Sequence, residues 1–279
     1  MSREQRVNQK VCFIAGAGHS GSTLLGLILG SHHECFYGGE VKKISLSKGG
    51  VPREKGVCRR CGPECAIWNG LSELDAPDLY EALSLRTRKP VIIDSAKNTE
   101  WIREQVSHLF RTSATPFLIF LQRDGRAVIN SRIRKYPSIA VETLIRDWME
   151  QIASTNELFD AFAGKKIKLH YEALATEPEA SVERLCDFLE IPFEREILDY
   201  YQHEHHAIAG NIGTQFLVAK AQAVETPYVR LSARNEYYYA NHPLGIHLDL
   251  RWKEELSPSA RAIFEEIAAP LNADLSWEG

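Results

Sequence analysis

The chain has 279 residues, of which 44% are hydrophobic, and this is enough for one α/β domain with a sizeable core. The formal net charge of −4 argues against a surface that binds nucleic acid or anionic membranes. We read neither a signal peptide nor a transmembrane helix in the sequence, which predicts a cytoplasmic protein with reduced cysteines. Any polyanionic ligand must then be bound by a local group of basic residues.

The first predicted unit is an apolar strand over residues 11–15, a glycine-rich turn over 16–23, and an apolar helix from residue 24. In such a unit the backbone N–H groups at the helix N-terminus face an anion. Gly16 and Gly21 have the spacing of the nucleotide-binding G-x-x-x-x-G-K-[ST] turn, but Ser22 occupies the lysine position. That lysine contacts the β/γ-phosphates of a nucleoside triphosphate, so the turn favours a phosphate-like ligand other than ATP or GTP.

Residues 19–24, His-Ser-Gly-Ser-Thr-Leu, resemble the 5′-phosphosulfate loop of sulfotransferases that use PAPS, 3′-phosphoadenosine 5′-phosphosulfate. In that loop a Lys or Arg precedes Ser-Gly-[ST]-[ST] and contacts the transferring group. Here the position holds His19, so its positive charge depends on pH. The resemblance implies that the co-substrate is bound by Gly18, His19, Ser20, Gly21, Ser22 and Thr23.

Glu40 follows Gly38 and Gly39, which end any helix and place this glutamate at a turn or strand end near the loop. In the tyrosylprotein-type sulfotransferases, a glutamate at this separation from the loop's basic residue acts as the general base. A carboxylate suits that role, because it can take the proton of an acceptor hydroxyl. The alternative is a solvated loop glutamate.

Residues 47–70 predict a loop insertion that contains Cys58, Cys61 and Cys65. These thiolates either bind zinc, with Cys35 or one of the histidines at 32 and 33 as the fourth ligand, or simply pack together. A structural zinc site needs four ligands, and three are in register here, so no metal is predicted. The histidines at 203, 205 and 206 also predict no metal site, since no cysteine or carboxylate lies near them in suitable register.

Two further strands are predicted to end in polar side chains. Residues 89–98 predict a buried strand with Lys97 in a polar cluster at its end, and the strand over 116–121 leads to Arg123. Ligands of doubly wound folds bind at such strand ends. The resemblance implies that Lys97 stabilises the phosphosulfate. It also implies that Arg123 and Ser131, in the motif Arg-Asp-x-Arg-x(4)-Ser, bind the 3′-phosphate; the alternative is a basic helix facing solvent.

The second half of the chain predicts a long helix over 141–162 and a short strand over 167–172. Tyr171 begins a Tyr-Glu-x-Leu segment that in the family ends a central strand, which implies that Tyr171 lies at the nucleotide. Thr176 and Glu179 form a predicted capping box for the next helix.

Residues 203–247 lack the helical periodicity of the preceding segments, and we interpret them as a second loop insertion. Asn211 lies there in a segment that resembles a His-x-x-x-Gly-Asn signature near the nucleotide of bacterial members. Tyrosines at 228, 237, 238 and 239 suit either a lid over a small acceptor or packing beneath a long loop. Ser257 and Pro258 predict the start of a final helix.

The order of these units predicts one P-loop-like α/β domain over residues 1–279, with a mostly parallel central sheet flanked by helices. The resemblance implies an enzyme that transfers the sulfuryl group of PAPS to a small-molecule metabolite or natural product and releases PAP, 3′-phosphoadenosine 5′-phosphate. The acceptor atom is a hydroxyl oxygen, or an amine or guanidine nitrogen. The predicted catalytic residues are Glu40, His19 and Lys97. The alternatives are a P-loop small-molecule kinase and a non-catalytic nucleotide-binding module; the oligomeric state stays open.

Overall fold

The computed structural model describes residues 6–50, 53–74 and 78–278. Within this part of the chain, five strands form one parallel sheet. The strands are β1 (Lys10–Ala15), β2 (Cys35–Gly39), β3 (Val91–Asp94), β4 (Thr115–Gln122) and β5 (Lys165–His170). Their spatial order is β2-β3-β1-β4-β5. This confirms the predicted α/β class with a parallel central sheet.

Helices flank the sheet. The α-helices are α1 (Ser22–Gly30), α2 (Asp78–Thr87), α3 (Thr99–Leu109), α4 (Gly125–Lys135), α5 (Val141–Ala161), α6 (Tyr171–Thr176), α7 (Pro178–Leu189), α8 (Ile212–Ala221), α9 (Ala233–Asn241), α10 (Trp252–Glu255) and α11 (Pro258–Asn272). Short 3-10 helices cover Val41–Gly50, Glu54–Gly56, Leu71–Glu73 and Arg195–Gln202. In the described residues no helix is both long enough and apolar enough to cross a membrane.

The central strand β1 is buried on both faces, which explains its unbroken apolar sequence. Cys12 and Ile14 face a core that includes residues of α1 and α7. Val11 and Phe13 point the other way, into a core that includes residues of α2 and α3. The alternation follows from the two-residue period of a strand, and it requires helices on both sides.

The structure corrects three local predictions in the second half of the chain. Tyr171 begins α6 and follows β5, which is an edge strand of the sheet and not a central one. The capping box is wrong: the Thr176 hydroxyl donates to the Glu172 carbonyl, and α7 starts at Pro178 without a side-chain cap. The predicted loop over 203–247 contains α8 and α9; the apolar residues of α8 do not form one helical face, and α9 is mostly polar apart from its three tyrosines.

The predicted start of the final helix agrees with the structure. The Ser257 hydroxyl caps α11 by accepting from the Ala260 N–H, as predicted. Residues 51–52 of the predicted cysteine-rich loop lie outside the described residues, as do residues 75–77.

Candidate active site

The carboxyl ends of all five strands meet at one edge of the sheet, because every strand runs in the same direction. The glycine-rich loop follows β1, Glu40 follows β2, and Arg123 follows β4. One open cleft lies at this edge. The predicted residues that line it are Gly18, His19, Gly21, Ser22, Thr23, Glu40, Lys97, Arg123, Ser131, Tyr171 and Asn211.

Ser20 is the one predicted residue that does not line the cleft. Its side chain is 1% exposed, and its hydroxyl has no hydrogen-bond partner among the described residues.

The glycine-rich loop has a backbone conformation that few side chains permit. Gly16 and Gly21 have φ values of 140° and 95°. A Cβ atom on Gly21 would lie 2.7 Å from the Tyr171 ring, so the ring packs directly on the loop. His19 also has a positive φ, of 75°. Gly21 precedes α1, and no side chain caps the first turn of that helix, which favours anion binding there.

Glu40 is held between two lysines at the end of β2. Its Oε1 atom lies 3.0 Å from Lys97 Nζ, and its other oxygen forms an ion pair with Lys43. Burial raises the pKa of the Glu40 carboxyl, but the two ammonium groups lower it more strongly, to about 2. Glu40 is therefore a carboxylate at neutral pH and can accept a proton. Its backbone N–H donates to the Ile208 carbonyl at 2.9 Å.

His19 lies opposite Ser131, with 2.9 Å between its Nδ1 atom and the Ser131 hydroxyl. Burial lowers the pKa of the imidazole to about 3, and nearby positive charges act in the same direction. These charges belong to Lys135, Arg132, Arg123 and Lys97. The ring is therefore neutral near pH 7 in the nucleotide-free protein. The predicted cationic form of His19 requires a bound anion that offsets these charges.

Arg123 is oriented by contacts on three sides. One guanidinium nitrogen donates to the His19 carbonyl at 2.9 Å, and another lies 3.3 Å from a carboxylate oxygen of Asp249. The guanidinium carbon lies 4.2 Å from the centre of the Tyr171 ring. The Nε atom is buried and has no hydrogen-bond partner among the described residues.

Asp249 and Arg251 complete this side of the cleft, and sequence reasoning missed both. Arg251 forms two hydrogen bonds of 2.7 Å with the Asp249 carboxylate. Burial raises the pKa of Asp249, but Arg251 and Arg123 lower it more strongly, well below its ordinary value. The one available signal was an Asp-Leu-Arg sequence outside any helical period, which is too common to indicate a site.

The five basic residues from Arg123 to Lys135 lie in different surroundings in the structure. Of these five, Arg123 and Lys135 line the cleft, and Arg134 lines an adjoining cavity. Arg126 forms an ion pair with Asp124, and buried Arg132 donates to Gln151 and to the Leu144 carbonyl. The exposed basic helix weighed as the alternative is not what forms, because Arg123 and Arg132 are buried.

Residues from the 203–247 segment form the far wall. The Asn211 N–H donates to the Thr23 hydroxyl at 2.9 Å, which connects this segment directly to the glycine-rich loop. Tyr238 and Tyr239 line the cleft, as does His242. Their proposed role as a lid over an acceptor stays a prediction.

The cysteine-rich segment has a partner that sequence reasoning rejected. The Nδ1 atom of His206 lies within hydrogen-bonding distance of the thiols of Cys58, Cys61 and Cys65. The statement that this histidine lacks a nearby cysteine is therefore wrong. The residues are 141 to 148 positions apart, so no spacing rule would connect them.

A parallel sheet that carries a glycine-rich loop, lysines and a carboxylate at its strand ends has the architecture of a P-loop-like α/β domain. Residues 12–195 match the family model described as the sulfotransferase family. The chain belongs to this family, and it is a transferase. Membership argues against the kinase and against the non-catalytic module.

Relatives of this chain are also named as sulfotransferases. A putative protein-tyrosine sulfotransferase of Caenorhabditis briggsae is 24% identical over 223 residues, which cover 73% of this chain and 72% of the relative. Protein-tyrosine sulfotransferase A of Caenorhabditis elegans is 26% identical over 208 residues, which cover 68% of this chain and 52% of the relative.

Solved structures share the fold at lower identity. The sulfotransferase domain of the Synechococcus PCC 7002 olefin synthase has a TM-score of 0.58 at 18% identity, covering 86% of this chain and 96% of that chain. The sulfotransferase domain from the curacin biosynthetic pathway has a TM-score of 0.53 at 18% identity, with coverage of 85% and 98%. Mouse sulfotransferase SULT7A1 in complex with PAP has a TM-score of 0.53 at 12% identity, with coverage of 98% and 90%.

Proposed function

We propose that this sulfotransferase uses PAPS as the donor and transfers its sulfuryl group to a hydroxyl of a small-molecule acceptor. The observation that supports this proposal best is the placement of Glu40 and Lys97. Their side chains are 3.0 Å apart and line the same cleft as the glycine-rich loop. A carboxylate and an ammonium group thus lie beside the glycine-rich loop, an arrangement that supports transfer of an anionic group to a hydroxyl.

The residues of the cleft fit a donor with phosphate groups at two positions. On one side, the loop and the N-terminus of α1 offer backbone N–H groups for the phosphosulfate. On the other side, Arg123 has a buried Nε atom without a hydrogen-bond partner among the described residues, and Ser131 lines the cleft. Unpaired buried donors are rare in folded proteins, and a 3′-phosphate would satisfy this one. The likeness to a structure solved with PAP supports the same donor.

Glu40 is the proposed base. In the reaction the acceptor oxygen forms a bond to sulfur while the bond from sulfur to the phosphate oxygen breaks, and the acceptor proton passes to the Glu40 carboxylate. A carboxylate with a pKa of about 2 is a weak base while it is paired with Lys97. A bound phosphosulfate attracts Lys97, so donor binding raises the pKa of Glu40 at the moment when a base is needed.

Lys97 and His19 are the proposed donors to the transferring group. Negative charge develops on the bridging oxygen as PAP leaves, and positively charged or hydrogen-bond-donating groups lower the barrier. Lys97 contributes its ammonium group. His19 contributes a hydrogen bond once the bound anion has raised the pKa of its imidazole.

A cytoplasmic location is part of the proposal. All six cysteines are unpaired in the structure, and unpaired thiols are typical of a reducing compartment. Fractionation of the cells that make the protein would test it directly.

The donor can be tested by calorimetry with PAP and AMP, which differ by the 3′-phosphate alone. PAP should bind more tightly by about 2–4 kcal/mol, because charged hydrogen bonds to Arg123 and Ser131 are lost with AMP. Arg123→Gln should reduce the difference between the binding free energies of PAP and AMP. Arg195→Gln, which replaces an exposed arginine paired with Glu179, should leave it unchanged. Equal affinity of the wild-type protein for PAP and AMP would refute the PAPS proposal.

A further inference from the structure

Three cysteines and one histidine form a compact cluster outside the cleft. His206 Nδ1 lies 3.7 Å from the Cys58 Sγ atom, 3.3 Å from that of Cys61 and 3.4 Å from that of Cys65. All four atoms lie within 4.8 Å of one another. Cys58 and Cys65 are buried, and Cys61 is exposed.

These distances are those of a tetrahedral metal site. With Zn–S bonds of about 2.3 Å and a Zn–N bond of about 2.0–2.1 Å, tetrahedral angles place sulfur and nitrogen about 3.5 Å apart. The three observed distances lie on both sides of that value. Three thiolates and one imidazole favour zinc over magnesium or calcium, which prefer oxygen ligands.

The surroundings of the cluster support a metal ligand at His206. The Nε2 atom of His206 lies 2.6 Å from a carboxylate oxygen of Glu204. A proton shared there leaves the lone pair of Nδ1 directed at the three sulfurs, as in the carboxylate–histidine–zinc arrangement. Glu204 in turn forms an ion pair with Arg60 at 3.3 Å. The Cys61 N–H approaches the Cys58 sulfur at 3.5 Å, which stabilises a thiolate.

We propose that Cys58, Cys61, Cys65 and His206 bind one structural zinc ion. The four protein ligands fill a tetrahedral shell and leave no position for substrate, so the ion has a structural role. The proposal does not depend on the identity of the sulfuryl donor.

The zinc site also supports the backbone that holds Glu40. Ile208 lies two residues after His206 and pairs with Cys58 on one side and Gly39 on the other. The Ile208 N–H donates to the Gly38 carbonyl, and the Ile208 carbonyl accepts from the Glu40 N–H, both at 2.9 Å. The ion would therefore hold the cysteine-rich segment against the strand end that presents Glu40. This link, unlike zinc binding itself, rests on the proposed role of Glu40 as base, and it makes the four ligands positioning residues for the reaction.

The metal content of the full-length protein tests the site directly. The protein is produced without a histidine tag in medium with zinc, purified under reducing conditions, and measured by elemental mass spectrometry. We expect one zinc per chain, and replacement by Co²⁺ should give the visible absorption of a tetrahedral thiolate site. Zinc-free protein that is folded and fully reduced would refute the proposal, and so would a disulfide between any two of the three cysteines.

Single substitutions test which side chains bind the zinc ion. Cys61→Ser and His206→Asn should each lose most of the zinc; Cys61 is exposed, so its replacement is compatible with folding. The matched control is His203→Asn. His203 lies three residues before His206, and its ring contacts the Glu196 carbonyl instead of the cysteines. It should retain one zinc per chain. Full zinc content in both ligand variants, or loss of zinc in the control alone, would contradict the assignment.

A separate readout tests the link to Glu40. Removal of the zinc should increase hydrogen exchange at the amides of Glu40 and Ile208 and lower kcat more than PAP affinity. Unchanged exchange at these amides in the zinc-free protein would overturn the positioning role, although not zinc binding itself.

Discussion

The most decisive change for the proposed reaction is Glu40→Gln, which removes the negative charge and keeps the shape of the side chain. Glu40 has a pKa of about 2, against an ordinary value of 4.5. The difference corresponds to about 3 kcal/mol of stabilisation of the carboxylate. Most of it comes from Lys97 and Lys43, which hold the carboxylate beside the glycine-rich loop.

Glu40→Gln should lower kcat for a hydroxyl acceptor by about 10²-fold or more, since a glutamine cannot accept the proton. The affinity for PAP should stay nearly unchanged, because no described hydrogen bond connects the Glu40 side chain to the loop, Arg123 or Ser131. The variant leaves two lysines without their carboxylate partner. Because these lysines are partly exposed, the loss of folding stability should be about 1 kcal/mol.

The assay measures PAP release from PAPS at saturating acceptor, together with the Kd for PAP by calorimetry. The matched control is Glu190→Gln, since Glu190 also pairs with two lysines, Lys10 and Lys165, but does not line the cleft. The control should retain the wild-type kcat. A Glu40→Gln enzyme with full kcat would refute the role as base. An equal loss of kcat and PAP affinity would instead indicate that Glu40 only orders the cleft.

Two further predictions concern protons and metals. If bound PAP protonates His19, whose pKa is about 3 in the free protein, calorimetry near pH 7 in buffers of different ionisation enthalpy should show less proton uptake for His19→Asn than for wild type. Equal uptake would mean that the ring stays neutral. Turnover should also survive brief exposure to EDTA, because the proposed reaction uses no magnesium. An immediate loss that magnesium restores would contradict this; a slow loss that zinc alone restores would instead match the cysteine–histidine site.

Much of the site could be read from the sequence because its parts are local. Gly16 and Gly21 are required by backbone geometry within one turn, and they lie next to an apolar strand that has to be central. Lys97 and Arg123 each follow a buried strand, and strands of that kind lie parallel with their ends together. A local pattern therefore predicts that these residues lie at one edge of the sheet.

Electrostatics and long-range pairing could not be read in the same way. The neutral state of His19 depends first on the burial of its ring, and then on positive charges that α4 and the ends of β3 and β4 bring close to it. The orientation of Arg123 depends on Asp249, which is 126 residues away. The edge position of β5, which moves Tyr171 out of any central strand, depends on the order in which the strands pair.

The sequence by itself determined the fold class, the glycine-rich loop, and the positions of Glu40, Lys97 and Arg123 after their strands, because each rests on residues close together in the chain. Tertiary structure alone decided which of these side chains are paired and which ionisation states they adopt. It also decided that His206 meets three cysteines more than 140 residues earlier. The physical reason is that pKa values and metal geometry depend on distances through space, and the folded core sets those distances.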